Sequence, residues 1–395
     1  MKFLKSLPAK LIIGIVIGVV LGLVVPESVM AIIVPIKNIL GQVIQFVVPL
    51  IVIGFIAPSI TKLGNNATKM LGIALVLAYV SSVLAALVSM AAGYTLIPIL
   101  PFASEAEALR ELPADVFGLA IPQIMSVMSA LAFSILIGLS AVWTKSKTFI
   151  ALLQEFQKMV LDIVTKVVIP LLPIYICFTF STLAYDGTIT KQLPIFVSAV
   201  VIVIVGHYIW LAVLYLVAGI YSGKNPMEVL KHYGPAYLTA IGTMSSAATL
   251  AIALKGAQKS KVLRDDMVEF GIPLFANIHL CGSVLTETFF VMIVSKVLYG
   301  ELPPIGTMIL FCALLAIFAI GAPGVPGGTV MASLGLITGV LGFGNEGTAL
   351  MLAIFAIQDS FGTACNVTGD GALTLMLTGY VEKHNVEKQS ISIDL

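Results

Sequence analysis

Residues 359–370 read DSFGTACNVTGD, between the apolar runs ALMLAIFAI and GALTLMLTGY. On a helix turning about 100° per residue, Asp359, Thr363, Asn366 and Asp370 fall within about 60° of one another. They make a polar stripe on an apolar rod. At a rise of 1.5 Å per residue, the two aspartates stand about 16 Å apart along its axis. A charge at bilayer depth costs several kcal/mol unless it faces a partner or water, so such residues read as functional by default. The plain alternative is a polar seam that ties two helices together.

Composition makes the bilayer the right solvent for this stretch. Of 395 residues, 59% are hydrophobic and 10% charged, where a soluble domain carries about 25% charged residues. Several uncharged runs reach the ~20 residues that a spanning helix needs. The net charge of +1 and the scattered basic residues point away from nucleic acid. Cys177, Cys281, Cys312 and Cys365 lie in apolar tracts without paired spacing, so neither a disulfide framework nor a structural zinc is expected. The opening MKFLKSLPAKLIIGIVIGVVLGLVV reads as a first spanning helix and not as a leader, since no small-residue cleavage site follows.

Charge placement then orders the spans. Candidates lie near 8–25, 36–60, 70–98, 119–143, 149–182 and 193–221. Lys2, Lys5 and Lys10 put the N-terminus on the cytoplasmic side. The third loop, with Glu105, Glu107, Glu111 and Asp115 against Arg110, falls outside. Lys62, Lys69, Lys145, Lys147, Lys224 and Lys231 fall inside. Asp162 and Lys166 stand one helical turn apart and are expected to pair.

The alternation fails at 234–258. No charge falls between 234 and 254, one span's length, yet a crossing would carry Lys255, Lys259, Lys261 and Arg264 outside. The middle, TAIGTMSSAATL, is rich in small and hydroxyl residues. A helix broken there can enter and leave on one side, with Ser245 and Ser246 at its tip, provided protein or water covers the break. An ordinary span with poor charge placement is the alternative. A second uncharged tract of 44 residues separates Glu301 from Glu346. Its centre holds Pro323, Pro326 and glycines at 321, 324, 327 and 328, which cannot continue a helix. This hairpin enters from outside, after a seventh span near 272–297. An eighth, near 347–380, returns to a cytoplasmic tail. The reading is an all-α membrane protein of eight transmembrane helices and two re-entrant helical hairpins. Opposed hairpins signal inverted repeats, whose broken tips in secondary transporters form the substrate and ion site near the midplane.

Hard oxygen ligands suit a cation. Asn366 and Asp370, with carbonyls from unwound backbone, are candidate sodium ligands. Asp359 can receive an organic ammonium group. The seventh span adds Asn277, His279, Cys281, Ser283, Thr286 and Glu287. Away from water the neutral acid is the cheaper form of a carboxyl, so Glu287 is a candidate proton carrier. His279 either titrates or simply hydrogen-bonds. His207 draws no role. No GxSxG, HExxH or histidine cluster suggests an enzyme.

NVTGD in the last span, SSAATL in the first hairpin and GVPGG in the second resemble the dicarboxylate/amino acid:cation symporter family over essentially the whole chain. The resemblance implies a homotrimer among membrane lipids and an elevator mechanism without cofactors. A scaffold would comprise 1–68 (spans one and two) and 99–192 (spans four and five). A transport domain would comprise 69–98 (span three) and 193–395. It implies that Asp359 holds the substrate amino group, and that Thr363, Asn366, Ser283, the serine tip Ser245 and Ser246, and the gate residues Val325 and Gly327 contact substrate. It implies sodium at Asn366 and Asp370, with Ser81, Ser82, Asn277 and His279 as further cation-site candidates.

Three departures qualify this. Gly362 stands where acidic-substrate members carry an arginine, which favours a small neutral amino acid such as serine, threonine or alanine. HLCG at 279–282 replaces NMDG, so a thiol stands where an aspartate would ligate sodium. Glu287 falls where proton-coupled relatives carry a glutamate, which leaves sodium, protons or both as coupling ions. Acidic amino acid or dicarboxylate uptake with protons is the alternative, and an ion channel is the alternative of another class. Short loops suggest a bacterial inner membrane.

Overall fold

A computed structural model describes residues 7–65, 69–100, 111–114, 116–322, 324 and 326–386. Their regular structure is helical throughout. Helices α1 (Leu7–Val24), α2 (Glu27–Asn65), α3 (Lys69–Leu96), α4 (Val127–Thr144), α5 (Lys147–Ile163), α6 (Ile169–Tyr185) and α7 (Thr188–Ser222) form the first half. A π-helical turn over Val164–Val168 joins α5 to α6. The short α8 (Met227–Leu230) leads to two helix pairs separated by a third: α9 (Gly234–Thr243) with α10 (Ser246–Ala257), α11 (Asp265–Ile278) with α12 (Cys281–Tyr299), and α13 (Ile305–Gly321) with α14 (Gly328–Gly339). The chain then runs through α15 (Asn345–Lys383).

Six of the described helical stretches are long and apolar enough to cross a membrane, which makes this a multi-pass membrane protein. The exposed side chains agree. On α3, Val76, Val80, Leu84 and Val88 are exposed at four-residue spacing, as are Val197, Val201, Val205 and Ile209 on α7. Such apolar stripes face lipid at no cost, whereas water would penalise them.

Both anticipated breaks are present. The α9–α10 turn passes through Met244, at φ 52°, a left-handed conformation that few side chains adopt. Ser245 then caps α10, its Oγ accepting the Ala248 N–H at 3.2 Å. The α13–α14 turn spans the glycine-proline segment and ends at Gly327, φ 71°. Pro323 and Val325 lie outside the described residues, as do Glu105, Glu107, Arg110 and Asp115.

Three boundaries differ from the sequence reading. The second helix begins at Glu27 and not at 36, running through Pro35, Pro49 and Pro58. Within a membrane the freed carbonyls find other partners, so proline bends a helix more readily than it ends it. The fourth begins at Val127 and not at 119, where Ser126 supplies an N-cap by accepting the Ser129 N–H at 3.2 Å. The seventh is two helices, broken at His279–Leu280. Asp162 and Lys166 pair at 2.5 Å, as expected, on an exposed face.

Most of the packing falls into two groups, with α14 lying against α2 and α4 as well as against α13. In one, α1 lies on α6 and α2 on α4, α5 and α6. In the other, α12 and α15 are almost wholly buried, with α3, α7, α9 and α11 around them. Lys37 of α2 reaches across to Glu346 at the start of α15, at 3.3 Å, and the Tyr175 hydroxyl of α6 donates to the Asn345 carbonyl at 2.9 Å.

The α1–α6 contact rests on Gly14, Gly18 and Gly22. Cβ atoms there would come within 2.7, 2.3 and 2.2 Å of the carbonyl oxygens of Pro173, Cys177 and Ser181. Small residues at four-residue spacing let membrane helices approach backbone to backbone. Gly18→Leu should therefore separate α1 from α6 and lower stability by about 1–3 kcal/mol, the usual cost of overpacking. Thermal unfolding of the detergent-solubilised protein checks this, with exposed Val16→Leu as the control that should not shift.

Candidate functional site

The four stripe residues all lie on the unbroken α15, and all are buried: Asp359 and Thr363 are 4% exposed, Asn366 and Asp370 1%. Three of them, Asp359, Asn366 and Asp370, meet places where another helix begins or ends.

Asp359 faces the second break. Its Oδ2 accepts the Gly327 N–H at 2.7 Å, at the start of α14, and Thr363 Oγ1 stands 3.5 Å from Oδ1. The first N–H groups of a helix have no partner within it, and the helix dipole there favours a negative charge. The carboxylate thus caps a helix that has no side-chain cap of its own. The two tips also touch: Ser245 Oγ donates to the Gly324 carbonyl at 2.6 Å. Ser246 is buried at the first position of α10. The cavity beside Asp359, lined by Leu172, Ile176, Met244, Gly327, Val330 and Phe355, holds about 20 Å³, room for a water or two and too little for an amino acid. With the tips joined, little open space remains beside Asp359.

Asn366 faces the third break, the one at His279–Leu280. Its Oδ1 accepts the N–H groups of Gly282 at 2.7 Å and Ser283 at 3.2 Å, and its Nδ2 donates to Ser283 Oγ at 2.9 Å. Leu280 offers α12 no side-chain cap, so Asn366 supplies one from another helix.

Asp370 meets the end of α11. Its Oδ1 lies 3.0 Å from His279 Nδ1, and His279 Nε2 lies 2.9 Å from Ser81 Oγ on α3. His279, the first residue beyond α11, is thus held on both ring nitrogens. Ser82 is buried with no hydrogen-bond partner among the described residues. Cys281 packs here too: a Cβ on Gly369 would lie 2.9 Å from His279 Cε1 and 3.3 Å from Cys281 Sγ. Asn277 does not join this group. It is exposed on α11, its amide donating to the Pro273 carbonyl at 2.8 Å. No cluster of three or more His, Cys, Asp or Glu suited to a metal occurs among the described residues.

Glu287 is fully buried on α12, and Ser333 Oγ of α14 donates to its Oε1. Its Oε2 has no partner among the described residues. Gly362 lies against the start of α12, where a Cβ would stand 3.5 Å from Ser283 N and 3.6 Å from Gln358 Oε1. Sequence reasoning missed Gln358, His207 and the placement of Thr286, which hydrogen-bond with one another beside Gly282. The signal for Gln358 was present, a polar residue adjoining Asp359 in an apolar span. His207 had none, since its partners lie 75 or more positions away.

Two interrupted helix pairs meet over a buried carboxylate, and a third break is capped from the same rod. The family model for the sodium:dicarboxylate symporters matches residues 7–380. The chain belongs to that family. The family consists of transporters and not enzymes. Among curated relatives, human excitatory amino acid transporter 2 is 25% identical over 277 residues, 67% of this chain and 47% of the relative. Human excitatory amino acid transporter 1 is 26% identical over 207 residues, 52% of this chain and 37% of the relative. Bovine excitatory amino acid transporter 3 is 25% identical over 264 residues, 66% of this chain and 49% of the relative. This sodium:dicarboxylate symporter homologue spans about half the length of the curated relatives it matches.

The trans-cap generates a prediction. Asn366→Leu removes the acceptor for two buried N–H groups while keeping the branching and number of side-chain heavy atoms. It should cost about 1–3 kcal/mol, read as a lower unfolding temperature of the purified protein, while Ser198→Ala on the exposed face of α7 should leave that temperature unchanged.

Proposed function

We propose that this chain is a secondary symporter that carries a small neutral amino acid, of the serine, threonine or alanine kind, into the cell together with sodium ions, protons or both. The observation that carries the reading is the buried Asp359 carboxylate at the junction of the two helix breaks. An ammonium group is the natural partner for a carboxylate that no cation among the described residues neutralises, and the amino group of an amino acid supplies one. Gln358, Gly362, Thr363, Asn366 and Ser283 then surround the remainder of the substrate, with Ser245, Ser246, Gly327 and Val325 at the tips.

The tips act as the gate. In the closed arrangement Asp359 is held by Gly327, so an entering ammonium takes over a carboxylate that otherwise keeps the second tip shut. The two packing groups support an elevator, in which α3, α7 and the helices from α9 onward slide against a scaffold of α1, α2, α4, α5 and α6. The residue boundaries are those drawn above: 1–68 and 99–192 against 69–98 and 193–395. Lys37–Glu346 and Tyr175–Asn345 cross this boundary, and sliding would break both. Eight crossings with two re-entrant hairpins, both termini cytoplasmic, a homotrimer and a bacterial inner membrane complete the proposal.

For coupling, Asn366 and Asp370 remain the proposed sodium ligands, with Ser81, Ser82 and His279 beside them. Glu287 is the proposed proton carrier, since its carboxyl is fully buried and its bond to Ser333 ties it to the gate helix. Asn277 is the weakest candidate, because it faces away. The names of the family and of the excitatory amino acid transporters favour a second reading, uptake of a dicarboxylate or acidic amino acid. Gly362 weighs against it, since a glycine brings no cation to pair with a second carboxylate there.

Purified protein in proteoliposomes tests this with labelled serine, first under a sodium gradient at equal pH, then under a proton gradient without sodium. Uptake under at least one gradient is expected, saturable and exchangeable with unlabelled serine, and reduced at least 100-fold by Asp359→Ala. Transport that survives Asp359→Ala would remove the assignment. Ion current without saturable uptake would favour a channel.

A further inference from the structure

His207 on α7, Thr286 on α12 and Gln358 on α15 are each 0–2% exposed. His207 Nε2 lies 3.0 Å from both the Gly282 carbonyl oxygen and Thr286 Oγ1. Thr286 Oγ1 lies 2.8 Å from Gln358 Oε1, and Gln358 Nε2 lies 3.2 Å from His207 Nδ1.

The directions of these bonds follow from one atom. A carbonyl oxygen can only accept, so the proton of the His207 ring sits on Nε2. None of the ring's bonded partners is a carboxylate, and an unpaired buried imidazolium would be costly, so the ring is neutral and Nδ1 accepts. Only the NH₂ of Gln358 can donate to it, which fixes which way the amide points. Its Oε1 therefore faces Thr286, whose one hydroxyl proton is shared between Oε1 at 2.8 Å and the Gly282 carbonyl at 2.9 Å. The three groups form a circuit that also takes in the Gly282 carbonyl: amide N–H to imidazole, imidazole N–H shared between that carbonyl and threonine, threonine O–H shared between that carbonyl and the amide oxygen.

The circuit stands at the notch that Gly362 leaves open. A Cβ on Gly362 would lie 3.6 Å from Gln358 Oε1 and 3.5 Å from Ser283 N. Gln358 Oε1 uses one lone pair on Thr286 and keeps one. Ser283 Oγ accepts from Asn366 at 2.9 Å, and its own O–H is left to donate. The notch thus offers one acceptor, Gln358 Oε1, beside the backbone of Ser283, whose hydroxyl is the nearest side-chain donor in sequence, and it lies three residues along α15 from Asp359. A hydroxyl, which donates and accepts at once, satisfies both. A methyl satisfies neither, and a carboxylate meets the lone pair of Oε1.

We propose that Gln358 is the specificity-determining residue of the transporter, selecting amino acids whose side chain carries a hydroxyl on the β-carbon, and that Thr286 and His207 are positioning residues that fix the direction of its amide. This rests on the amino acid symporter reading above and names its substrate class. A polar tie between α7, α12 and α15 would use the same bonds but would not distinguish one substrate from another.

The test is the ratio of kcat/KM for L-serine to that for L-alanine, measured in proteoliposomes of the full chain, with L-aspartate as a third substrate. The wild type should favour serine over alanine about tenfold, the worth of one neutral buried hydrogen bond. Gln358→Leu should bring the ratio to within about twofold of unity, and Thr286→Val should move it part of the way. Should Gln358→Leu fail to give a monodisperse protein, Gln358→Asn and Thr286→Val decide by the same ratio. Serine and alanine transport falling together, with the ratio unchanged, would overturn the proposal and leave the circuit a structural tie. A wild type that moves serine and alanine equally well would overturn it too, while sparing the symporter reading. Transport of aspartate alone would overturn the neutral-substrate reading and this inference with it.

Discussion

A helix that starts in the middle of a membrane exposes N–H groups that neither its own turns nor water can satisfy. The bond from the Gly327 N–H to the Asp359 carboxylate, 2.7 Å long, answers that constraint for α14. The rest of the site follows the same rule. Asn366 answers it for α12, accepting the N–H groups of Gly282 and Ser283, and Ser245 answers it for α10 from within its own turn. Asp370 holds His279 just beyond the end of α11. One unbroken helix, α15, thus anchors two of the chain's three interruptions. That explains why its polar residues lie on one stripe, and why their burial does not unfold it: charge-assisted and multiple hydrogen bonds offset desolvation only when every partner is in place.

The same economy links stability to transport. Asp359 has one function while the site is closed, capping the gate helix, and a second in the proposed cycle, receiving an ammonium. A substrate that competes for a structural bond can move the structure, because a ligand shifts an equilibrium only through its differential affinity for the two states. Asn366 is more completely committed, with both amide atoms bonded to α12. His279, bonded to Asp370 and Ser81, joins α11 to both α15 and α3 at the proposed cation region.

Much of this was legible in the sequence. The polar stripe needed only helical periodicity, and both hairpin breaks announced themselves through glycine, proline, serine and misplaced charge. The break at His279–Leu280 did not. No proline or glycine stands at that point, Pro273 lies inside α11 without ending it, and Gly282 falls within the first turn of α12. At that break Asn366 of α15 satisfies the first N–H groups of α12, while Asp370 of α15 and Ser81 of α3 hold the His279 ring, and such partners are invisible at short range. The helix starts at Glu27 and Val127 were misjudged for a related reason. A proline in water ends a helix, whereas here α2 continues through three. The circuit of His207, Thr286 and Gln358 was likewise beyond reach, because its members come from three helices and only one has a polar neighbour in sequence to draw attention to it.

The most direct test of the central claim is hydrogen–deuterium exchange over residues 322–331 of the substrate-free protein, comparing wild type with Asp359→Ala. If the carboxylate holds the start of α14, the amides from Gly327 onward should exchange at least tenfold faster in the variant, while the α10 amides that Ser245 caps remain unchanged. Equal protection of α14 in both proteins would contradict the account, since the second tip would then be held shut without Asp359.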